Sequence, residues 1–382
     1  MKNNLLSIVL SMIMCGCDGE RPPAGAPAPG GSSRLSELLG ADDVEGYALV
    51  LEPRAFSFPR DHGQHPAYRN EWWYVTGNLD GGGGERFGFE LTVFRFSLSP
   101  EIADTQASEW ATNQVYIGHF AITDAEAGQF HVAQRYARGA LGLAGAEAPP
   151  PNVWLEDWYL RIAAEDEADG PWRLHARDLG IELSLSLMPL KAPVLNGIDG
   201  LSQKSAEPGN ASYYYSIPRL QTAGTLAIDG DIHEVSGLAW MDREWGSSAL
   251  SGEQEGWDWF ALQLSDGSEL MFYEMRRTDG LRDRHSAGTF IPADGESVHL
   301  SHDDVTIKVR DYWDSPQGGR YPMAWTIAIP HLQLELHVDP VLEAQELSTS
   351  VRYWEGAVDI AGVRSGSAVV GRGYVELTGY AR

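Results

Sequence analysis

The sequence predicts an all-β protein made of two similar antiparallel β-barrels in tandem. Short segments in which apolar and polar residues alternate with a period of two run through most of the chain, and Gly, Asp and Pro separate them. Helical periodicity is scarce. The order of these segments also repeats, and each copy has about 160 residues, which is enough to close a barrel around a core or one small ligand.

The individual strands follow from the alternation. Successive side chains of a strand point to opposite faces of the sheet, so a half-buried antiparallel strand has a period of two. The clearest alternating segments are residues 75–79, 87–96, 181–187, 262–275 and 328–338. We therefore expect strands in each of these segments.

Three pairs of segments match in the same order along the chain: 71–96 with 256–277, 170–194 with 321–341, and 212–242 with 352–380. The first pair shares an aromatic cluster, a strand, an Asp-Gly turn, a second strand and an Arg. The second pair shares a Trp-led strand, a turn, an alternating strand and a Pro. Three matches in one order indicate a duplication. We predict a first domain at residues 52–222 and a second domain at residues 223–382.

Residues 1–17, MKNNLLSIVLSMIMCGC, have the layout of a secretory signal, with a cation at Lys2, an apolar run and then small residues. The run is too short to span a bilayer. Its end resembles a bacterial lipobox, in which Cys17 is lipidated and becomes the first mature residue. An ordinary cleaved signal that leaves Cys17 unmodified is the alternative.

Residues 18–51 are predicted to be a tether and lead-in, because residues 18–33 are rich in Pro, Gly and Ala and cannot bury enough surface to fold. The expectation is a cell-envelope protein that contacts the membrane through a lipid anchor, with its fold on the periplasmic side. Asp18, directly after Cys17, resembles a signal that retains lipoproteins in the inner membrane. Both cysteines of the chain belong to the signal, so no disulfide or Cys nucleophile is expected in the fold.

Charge and motifs exclude several classes of function. The net charge of −26 argues against nucleic acid as a partner, because binding phosphates needs a cationic face. The sequence has no GxSxG, HExxH, P-loop or GxGxxG motif, so serine-hydrolase, zincin and nucleotide chemistry are disfavoured. His62 and His65 have the spacing of a metal pair but lack a third ligand in register, so we predict neither a metal site nor a cofactor.

The chemistry-bearing pattern is a set of aromatic residues beside carboxylates and histidines. One group comprises residues 61–65 and 71–74 together with His119, and the other comprises residues 240–245, 257–259 and 273–274. An acid among aromatic rings is poorly solvated, so its pKa rises and it can donate a proton near neutral pH. The alternatives are plain: Trp on barrel strands is often core packing, and Asp-Arg-Glu at 242–244 is often an ion-pair element.

Several long motifs resemble those of the AttH-like proteins, which are often labelled secreted hydrolases and belong to the wider carotenoid 1,2-hydratase superfamily. The motifs are FPRDHGQHPAYRNEWWYVTGNL, GHFAITD, RYARGALGLAGA, GLSQKSAEPGNASYYYSIPRL, GLAWMDREWGSS, GWDWFALQL, QEL, YWEGAV and GYVELTGY. The similarity covers residues 52–382. It implies two lipocalin-like domains with a ligand pocket near their interface. Distant relatives include fungal Diels-Alderase-type cyclases.

The resemblance also implies a chemistry. Carotenoid hydratases protonate a terminal isoprenoid double bond and add water, which needs a buried acid and an aromatic pocket that tolerates a carbocation. The matching positions here are Trp240, Asp242, Tyr273 and Glu274. Glu274 stands where the hydratase pattern has Asp, and the insertion GSSALSGEQEG after Trp245 is longer than in that pattern. No nucleophile motif supports the label of hydrolase.

Two hypotheses follow. In the first, the protein is a cofactor-free hydratase, isomerase or cyclase for an apolar, isoprenoid-like or lipid molecule, with Asp242 or Glu274 as the proton donor and His62 and His119 as auxiliary or orienting groups. In the second, it is a carrier that passes an apolar ligand to a membrane partner such as an ABC-type permease. In both, the ligand-binding residues are Trp72, Trp73, Tyr74, Trp240, Trp257, Trp259 and Tyr273.

Overall fold

The structure is a computed structural model of the 382-residue chain, and it describes residues 44–101, 108–162, 170–248 and 250–381. All of these belong to one compact unit, Ser32–Arg382. The predicted signal, Cys17, Asp18 and most of the predicted tether lie outside the described residues, so the lipobox stays a prediction.

The described residues form β-strands and three one-turn 3-10 helices, Arg60–His62, His302–Asp304 and Pro330–Leu332. No α-helix occurs among them, and the all-β prediction is confirmed. Within the same ranges, none of the helices has the length and apolar character needed to cross a membrane.

The first sheet is antiparallel and curls into a nearly closed barrel with the strand order β4-β3-β2-β1-β13-β12-β9-β8-β7-β6-β5, and β10 and β11 also pair with β12. Its strands are β1 Asn70–Gly81, β2 Arg86–Ser97, β3 Gln114–Asp124, β4 Gln129–Arg138, β5 Ala144–Glu147, β6 Asn152–Leu155, β7 Trp158–Arg161, β8 Trp172–Asp178, β9 Ile181–Pro189, β10 Val194–Leu195, β11 Leu201–Gln203, β12 Ala211–Ile228 and β13 Asp231–Gly246.

The second sheet is antiparallel and forms a half-barrel with the order β17-β16-β15-β14-β23-β22-β20-β19-β18, and β21 pairs with β22. Its strands are β14 Gln254–Leu264, β15 Glu269–Arg277, β16 Ala287–Ile291, β17 Val298–Ser301, β18 Thr306–Asp314, β19 Arg320–Ile329, β20 Leu334–Pro340, β21 Glu346–Ser348, β22 Arg352–Arg364 and β23 Ser367–Leu377. The two sheets match two lipocalin-like barrel domains, as the resemblance implies.

The two sheets share one topology. The order β2-β1-β13-β12-β9-β8 in the first sheet corresponds to β15-β14-β23-β22-β20-β19 in the second. The three matched pairs of segments in the sequence fall on these equivalent hairpins. The sheet order therefore agrees with a duplication of one β unit.

The predicted domain boundary needs a correction. Residue 222 lies inside β12, and β13 still belongs to the first sheet, where it pairs with both β12 and β1. The first barrel needs this hairpin to join its first strand to the rest of its sheet. The change from one sheet to the other comes between Gly246 and Gln254.

The two sheets also pack against each other. Along strands such as β1 and β14, alternate residues fill one barrel, while the others face the opposite sheet and belong to a separate core that includes Tyr74, Tyr273 and Ala357. A Cβ on Gly88 would lie 2.7 Å from the Cβ of Ala357, so only glycine allows β2 and β22 to come this close. The interface between the barrels is thus buried and aromatic.

Candidate functional site

A pocket with a cavity volume of about 60 Å³ lies between the two barrels. Strand alternation selects its lining: Trp72 and Tyr74 of β1 and Trp257 and Trp259 of β14 face the pocket, whereas Trp73 between the first two faces the interior of the first barrel. The lining residues are Trp72, Tyr74, Phe94, Lys204, Tyr214, Asp242, Glu244, Trp257, Trp259, Tyr273, Met275 and Glu376.

Asp242 is the acid that lies on the pocket wall formed by the first barrel. It lies on β13 opposite Tyr74 and is 3% exposed. Its Oδ1 accepts hydrogen bonds from Ser216 Oγ at 2.5 Å and from Trp240 Nε1 at 2.7 Å, and its Oδ2 accepts one from Tyr214 OH at 2.5 Å. Burial raises the pKa of Asp242 to about 7 even though these three donors favour the anion. The carboxyl can therefore give or accept a proton near neutral pH.

Glu376 is the acid that lies on the pocket wall formed by the second barrel. It was not among the residues predicted from the sequence. It lies on β23 opposite Trp259, and its Oε2 accepts a hydrogen bond from Trp257 Nε1 at 2.9 Å. Burial, together with the nearby charges of Glu244 and Asp242, raises its pKa to about 8. The signal was present in the repeat, because the match of 212–242 with 352–380 sets Trp-Met-Asp at 240–242 against Tyr-Val-Glu at 374–376.

One ion pair completes the polar part of the pocket. Lys204, which follows β11, lies with Nζ 3.0 Å from Glu244 Oε1 and 4.1 Å from the ring centroid of Tyr273. Ser212 Oγ also donates to Glu244. The positive charge of Lys204 and the negative charge of Glu244 therefore compensate each other inside the pocket. The pocket residues Lys204, Phe94, Tyr214 and Met275 were not predicted as site residues, and Glu244 was noted only as part of the 240–245 group and of an ion-pair element.

Glu274 does not line the pocket, which corrects its predicted place. It follows Tyr273 on β15, so its side chain points to the opposite face, where it pairs across the sheet with Asp258 and lies 2.9 Å from Arg282 Nε. Burial and the neighbouring Asp258 raise its pKa to about 7. This carboxyl therefore belongs to the side of the second barrel and cannot reach a molecule in the pocket.

The two predicted histidines also lie outside the pocket. His62 Nδ1 is 2.6 Å from Tyr215 OH on the first barrel's side, and the backbone oxygen of His62 accepts a hydrogen bond from Trp73 Nε1 at 2.8 Å. His119 Nδ1 is 2.6 Å from Tyr353 OH between the sheets. Burial lowers the pKa of each histidine to about 3, so both are neutral.

Of the other predicted ligand-binding residues, Trp72, Tyr74, Trp257, Trp259 and Tyr273 line the pocket. Trp73 packs in the first barrel. Trp240 does not line the pocket, but its indole N–H donates a hydrogen bond to Asp242 Oδ1.

The Asp-Arg-Glu segment at residues 242–244 is split between two faces of β13, with Asp242 and Glu244 in the pocket. Arg243 points into the first barrel, where it and Arg95 form ion pairs with the buried carboxylate of Glu71, and the rings of His65 and Trp245 stack beside them at 3.8 Å. Burial raises the pKa of Glu71, but the two guanidinium groups outweigh it and hold that pKa well below its usual range. This network closes one end of the first barrel and is structural.

The described parts of the chain contain no cluster of three or more His, Cys, Asp or Glu residues suited to a metal ion. His62 and His65 contact different partners, since His62 contacts Tyr215 while His65 lies 3.2 Å from Asp61 Oδ1. The two imidazole rings therefore do not converge on a common metal position in the part of the chain that the structure describes.

Comparisons with known proteins agree with this architecture. The crystal structure of a protein described as AttH from Nitrosomonas europaea is 33% identical with a TM-score of 0.77, and the match covers 88% of this chain and 100% of that one. Kievitone hydratase from Nectria haematococca is 16% identical with a TM-score of 0.65, over 87% of this chain and 96% of that one. CghA is 14% identical with a TM-score of 0.54, over 90% of this chain and 96% of that one.

The last two likenesses, at low identity, show a shared fold. The comparison with curated proteins gives no match. The family model described as AttH-like matches residues 49–380, which includes both sheets and every residue of the pocket. The chain belongs to the AttH-like family.

Proposed function

We propose that the protein is a cofactor-free acid–base enzyme, a hydratase, isomerase or cyclase, for an apolar isoprenoid-like or lipid molecule bound between the barrels. The observation that carries this proposal is the placement of Asp242 and Glu376 on the two walls of one aromatic pocket. Their pKa values of about 7 and about 8 allow one carboxyl to donate and the other to accept a proton at the same pH.

The chemistry follows from these two groups. At neutral pH Glu376 is mostly protonated and donates its proton to a carbon of the double bond. The faces of Trp72, Tyr74, Trp257 and Trp259 stabilise the positive charge that develops on the neighbouring carbon. Ionised Asp242 then takes a proton either from an attacking water, which gives an alcohol, or from an adjacent carbon, which gives an isomer.

The relatives support the reaction class. Kievitone hydratase, which shares the fold, is named for a hydration, and the AttH-like family itself gives no substrate. The aromatic rings of the pocket form an apolar lining with few polar groups, as in sites that bind small organic ligands. An apolar molecule with a reactive double bond fits that description.

A carrier without catalysis is the second candidate, and the Cys17 lipobox favours it. A lipid-anchored, periplasmic protein would collect an apolar ligand from the membrane and hand it to a partner such as an ABC-type permease, at the inner membrane if Asp18 acts as a retention signal. Cys17→Ser is expected to release the protein from membranes into the soluble fraction. Unchanged membrane association of this variant would remove the anchor from the proposal.

The two candidates differ in one experiment. The full chain is incubated with geranylgeraniol in ¹⁸O-labelled water, and the extracted lipid is analysed by mass spectrometry. The enzyme proposal predicts hydrated or isomerised product that Asp242→Asn and Glu376→Gln both abolish, with binding retained. Asp231→Asn, on an exposed part of the same strand as Asp242, is the matched control. Binding without any conversion by the unaltered protein supports the carrier.

A further inference from the structure

Lys204 is a buried cation in the aromatic pocket between the two barrels. Its side chain is 8% exposed and lines the pocket. The backbone around it is fixed, because the N–H of Lys204 donates to Asn210 O at 2.9 Å and its carbonyl accepts a hydrogen bond from Gln254 Nε2 at 2.7 Å. Burial lowers the pKa of Lys204, but the carboxylate of Glu244 outweighs this effect and raises that pKa. The ammonium therefore keeps its charge inside the pocket.

The contacts of this ammonium leave one of its donors for a ligand. An ammonium has three N–H groups and accepts no hydrogen bond. One of them is directed at Glu244 Oε1, 3.0 Å away, and Nζ lies 4.1 Å from the ring centroid of Tyr273 on another side. That ring is held in place, because the Tyr273 hydroxyl and Ser202 Oγ are 2.8 Å apart. Since no other acceptor contacts Nζ among the described residues, one N–H is available to an oxygen atom of a bound molecule.

Glu244 supplies the complementary acceptor. The hydrogen bond from Ser212 Oγ and the contact with Lys204 both fall on Oε1, so Oε2 has no partner in the ranges that the structure describes. Glu244 also lines the pocket. A hydroxyl group beside this ion pair can accept a hydrogen bond from Lys204 and donate one to Glu244 at the same time. A hydrocarbon can do neither.

The charges around the ion pair disfavour an anionic ligand. Glu244 already balances Lys204, and Asp242 lies two residues away on the same face of β13. A carboxylate ligand would bring a further negative charge close to Glu244, in a buried place where water screens the repulsion poorly. A neutral hydroxyl group adds no charge to the pocket.

We propose that Lys204 and Glu244 together hold a hydroxyl group of the ligand, so that the substrate is an unsaturated alcohol rather than a hydrocarbon or a fatty acid. Two residues along a strand span roughly 7 Å, so the hydroxyl is held at about that separation from the double bond beside Asp242. The ion pair thus positions the ligand and selects its class. This inference rests on the proposed function, because it names the substrate class of the same pocket.

Three probes with one carbon skeleton test this selection. The full chain is titrated at pH 7 with geraniol, with geranic acid and with the hydrocarbon in which hydrogen replaces the hydroxyl of geraniol. Fluorescence of the pocket residues Trp72, Trp257 and Trp259 reports binding. In the unaltered protein we expect geraniol to bind more tightly than geranic acid.

The double variant Lys204→Met, Glu244→Gln removes both polar groups and leaves no unpaired charge in their place. The ratio of the geraniol affinity to the hydrocarbon affinity should fall about tenfold or more, because only the alcohol loses hydrogen bonds to charged groups. Taking the ratio cancels the different solubilities of the two probes. Lys308→Met, on an exposed part of β18, is the matched control and should keep the ratio of the unaltered protein.

Glu244→Gln alone should change the preference instead of abolishing binding. It leaves the ammonium of Lys204 without its counter-ion, so geranic acid should gain about tenfold or more in affinity relative to geraniol. A gain of this kind requires a folded pocket, which guards against a variant that merely fails to fold.

The inference is overturned if the double variant keeps the affinity ratio, or if Glu244→Gln gives geranic acid no advantage. Tighter binding of geranic acid than of geraniol by the unaltered protein, or no binding of any probe, also overturns it. None of these measurements needs turnover. A protein that shows the expected preferences but converts no alcohol would contradict the proposed catalysis and leave this inference in place.

Discussion

Asp242 and Glu376 occupy equivalent positions in the two barrels. In the first sheet Asp242 pairs with Tyr74 across β13 and β1, and in the second sheet Glu376 pairs with Trp259 across β23 and β14. The duplicated unit thus contributes one acid and one aromatic ring to each wall of the pocket. Because the two copies face each other, the repeat itself produces a pair of carboxyls, which acid–base chemistry requires.

Each of the two acids should give its own step in a pH titration of tryptophan fluorescence. The indole N–H of Trp240 donates to Asp242 and that of Trp257 donates to Glu376, so ionisation of each acid changes the surroundings of one ring. We expect transitions near pH 7 and pH 8. Asp242→Asn should remove the first and Glu376→Gln the second, whereas Asp231→Asn should keep both. A titration that neither variant alters would refute the assignment.

Glu355→Gln should stabilise the protein at pH 8 and have little effect at pH 4. The pKa of Glu355 is raised well above 4.5 in the folded state, so the unfolded chain loses this proton first. The folded state is therefore penalised increasingly as the pH rises from 4.5 to the folded pKa, by about 1.4 kcal/mol for each pH unit. The neutral amide avoids that penalty. Thermal unfolding at both pH values checks the sign.

The matched control for this prediction is Glu335→Gln, whose carboxyl is exposed and whose melting temperature should follow that of the unaltered protein at both pH values. A melting temperature of Glu355→Gln below that of the unaltered protein at pH 8 would mean that the carboxyl is ionised and paired in the fold.

Glu71→Gln should destabilise the first barrel by about 3–5 kcal/mol, because it leaves the buried guanidinium groups of Arg95 and Arg243 without their counter-ion. Urea denaturation followed by tryptophan fluorescence measures this loss. Asp279→Asn removes the exposed partner of Arg277 and should leave the denaturation midpoint nearly unchanged, because solvent screens an exposed ion pair. Equal effects of the two substitutions would show that the Glu71 network is not buried in solution.

Trp257→Ala should weaken the binding of geranylgeraniol by about tenfold or more, since it removes a large apolar face from the pocket. Trp110→Ala, which truncates a side chain that is 55% exposed and outside the pocket, should bind like the unaltered protein. Fluorescence titration with the lipid gives both affinities. If the two variants bind alike, the ligand lies elsewhere in the molecule.

The sequence predicts the strands, the repeat and part of the pocket because all three depend on local patterns. Alternation places Trp257 and Trp259 on one face whatever the fold around them, and the motif around Asp242 is distinctive. Alternation does not say which face is inside, so it could not separate Tyr273, which faces the pocket, from Glu274 beside it, which does not.

Other parts of the site depend on contacts between distant segments. Glu376 faces Glu355 only through the register of β22 with β23, and Tyr74 reaches Glu355 only because the two barrels pack together. Lys204 enters the pocket from a loop after β11. The boundary between the two sheets likewise depends on strand pairing, because β13, at the end of the first domain, pairs with β1 at its start.

The most direct test of the central claim compares the lipid held by the unaltered protein with that held by the double variant Asp242→Asn, Glu376→Gln. Both are purified without detergent exchange from the same host, extracted and analysed by mass spectrometry. An acid–base enzyme predicts that the variant retains an apolar substrate, while the unaltered protein holds or releases a molecule that is one water heavier or isomeric. The same molecule in both, or none in either, would contradict catalysis by these two carboxyls.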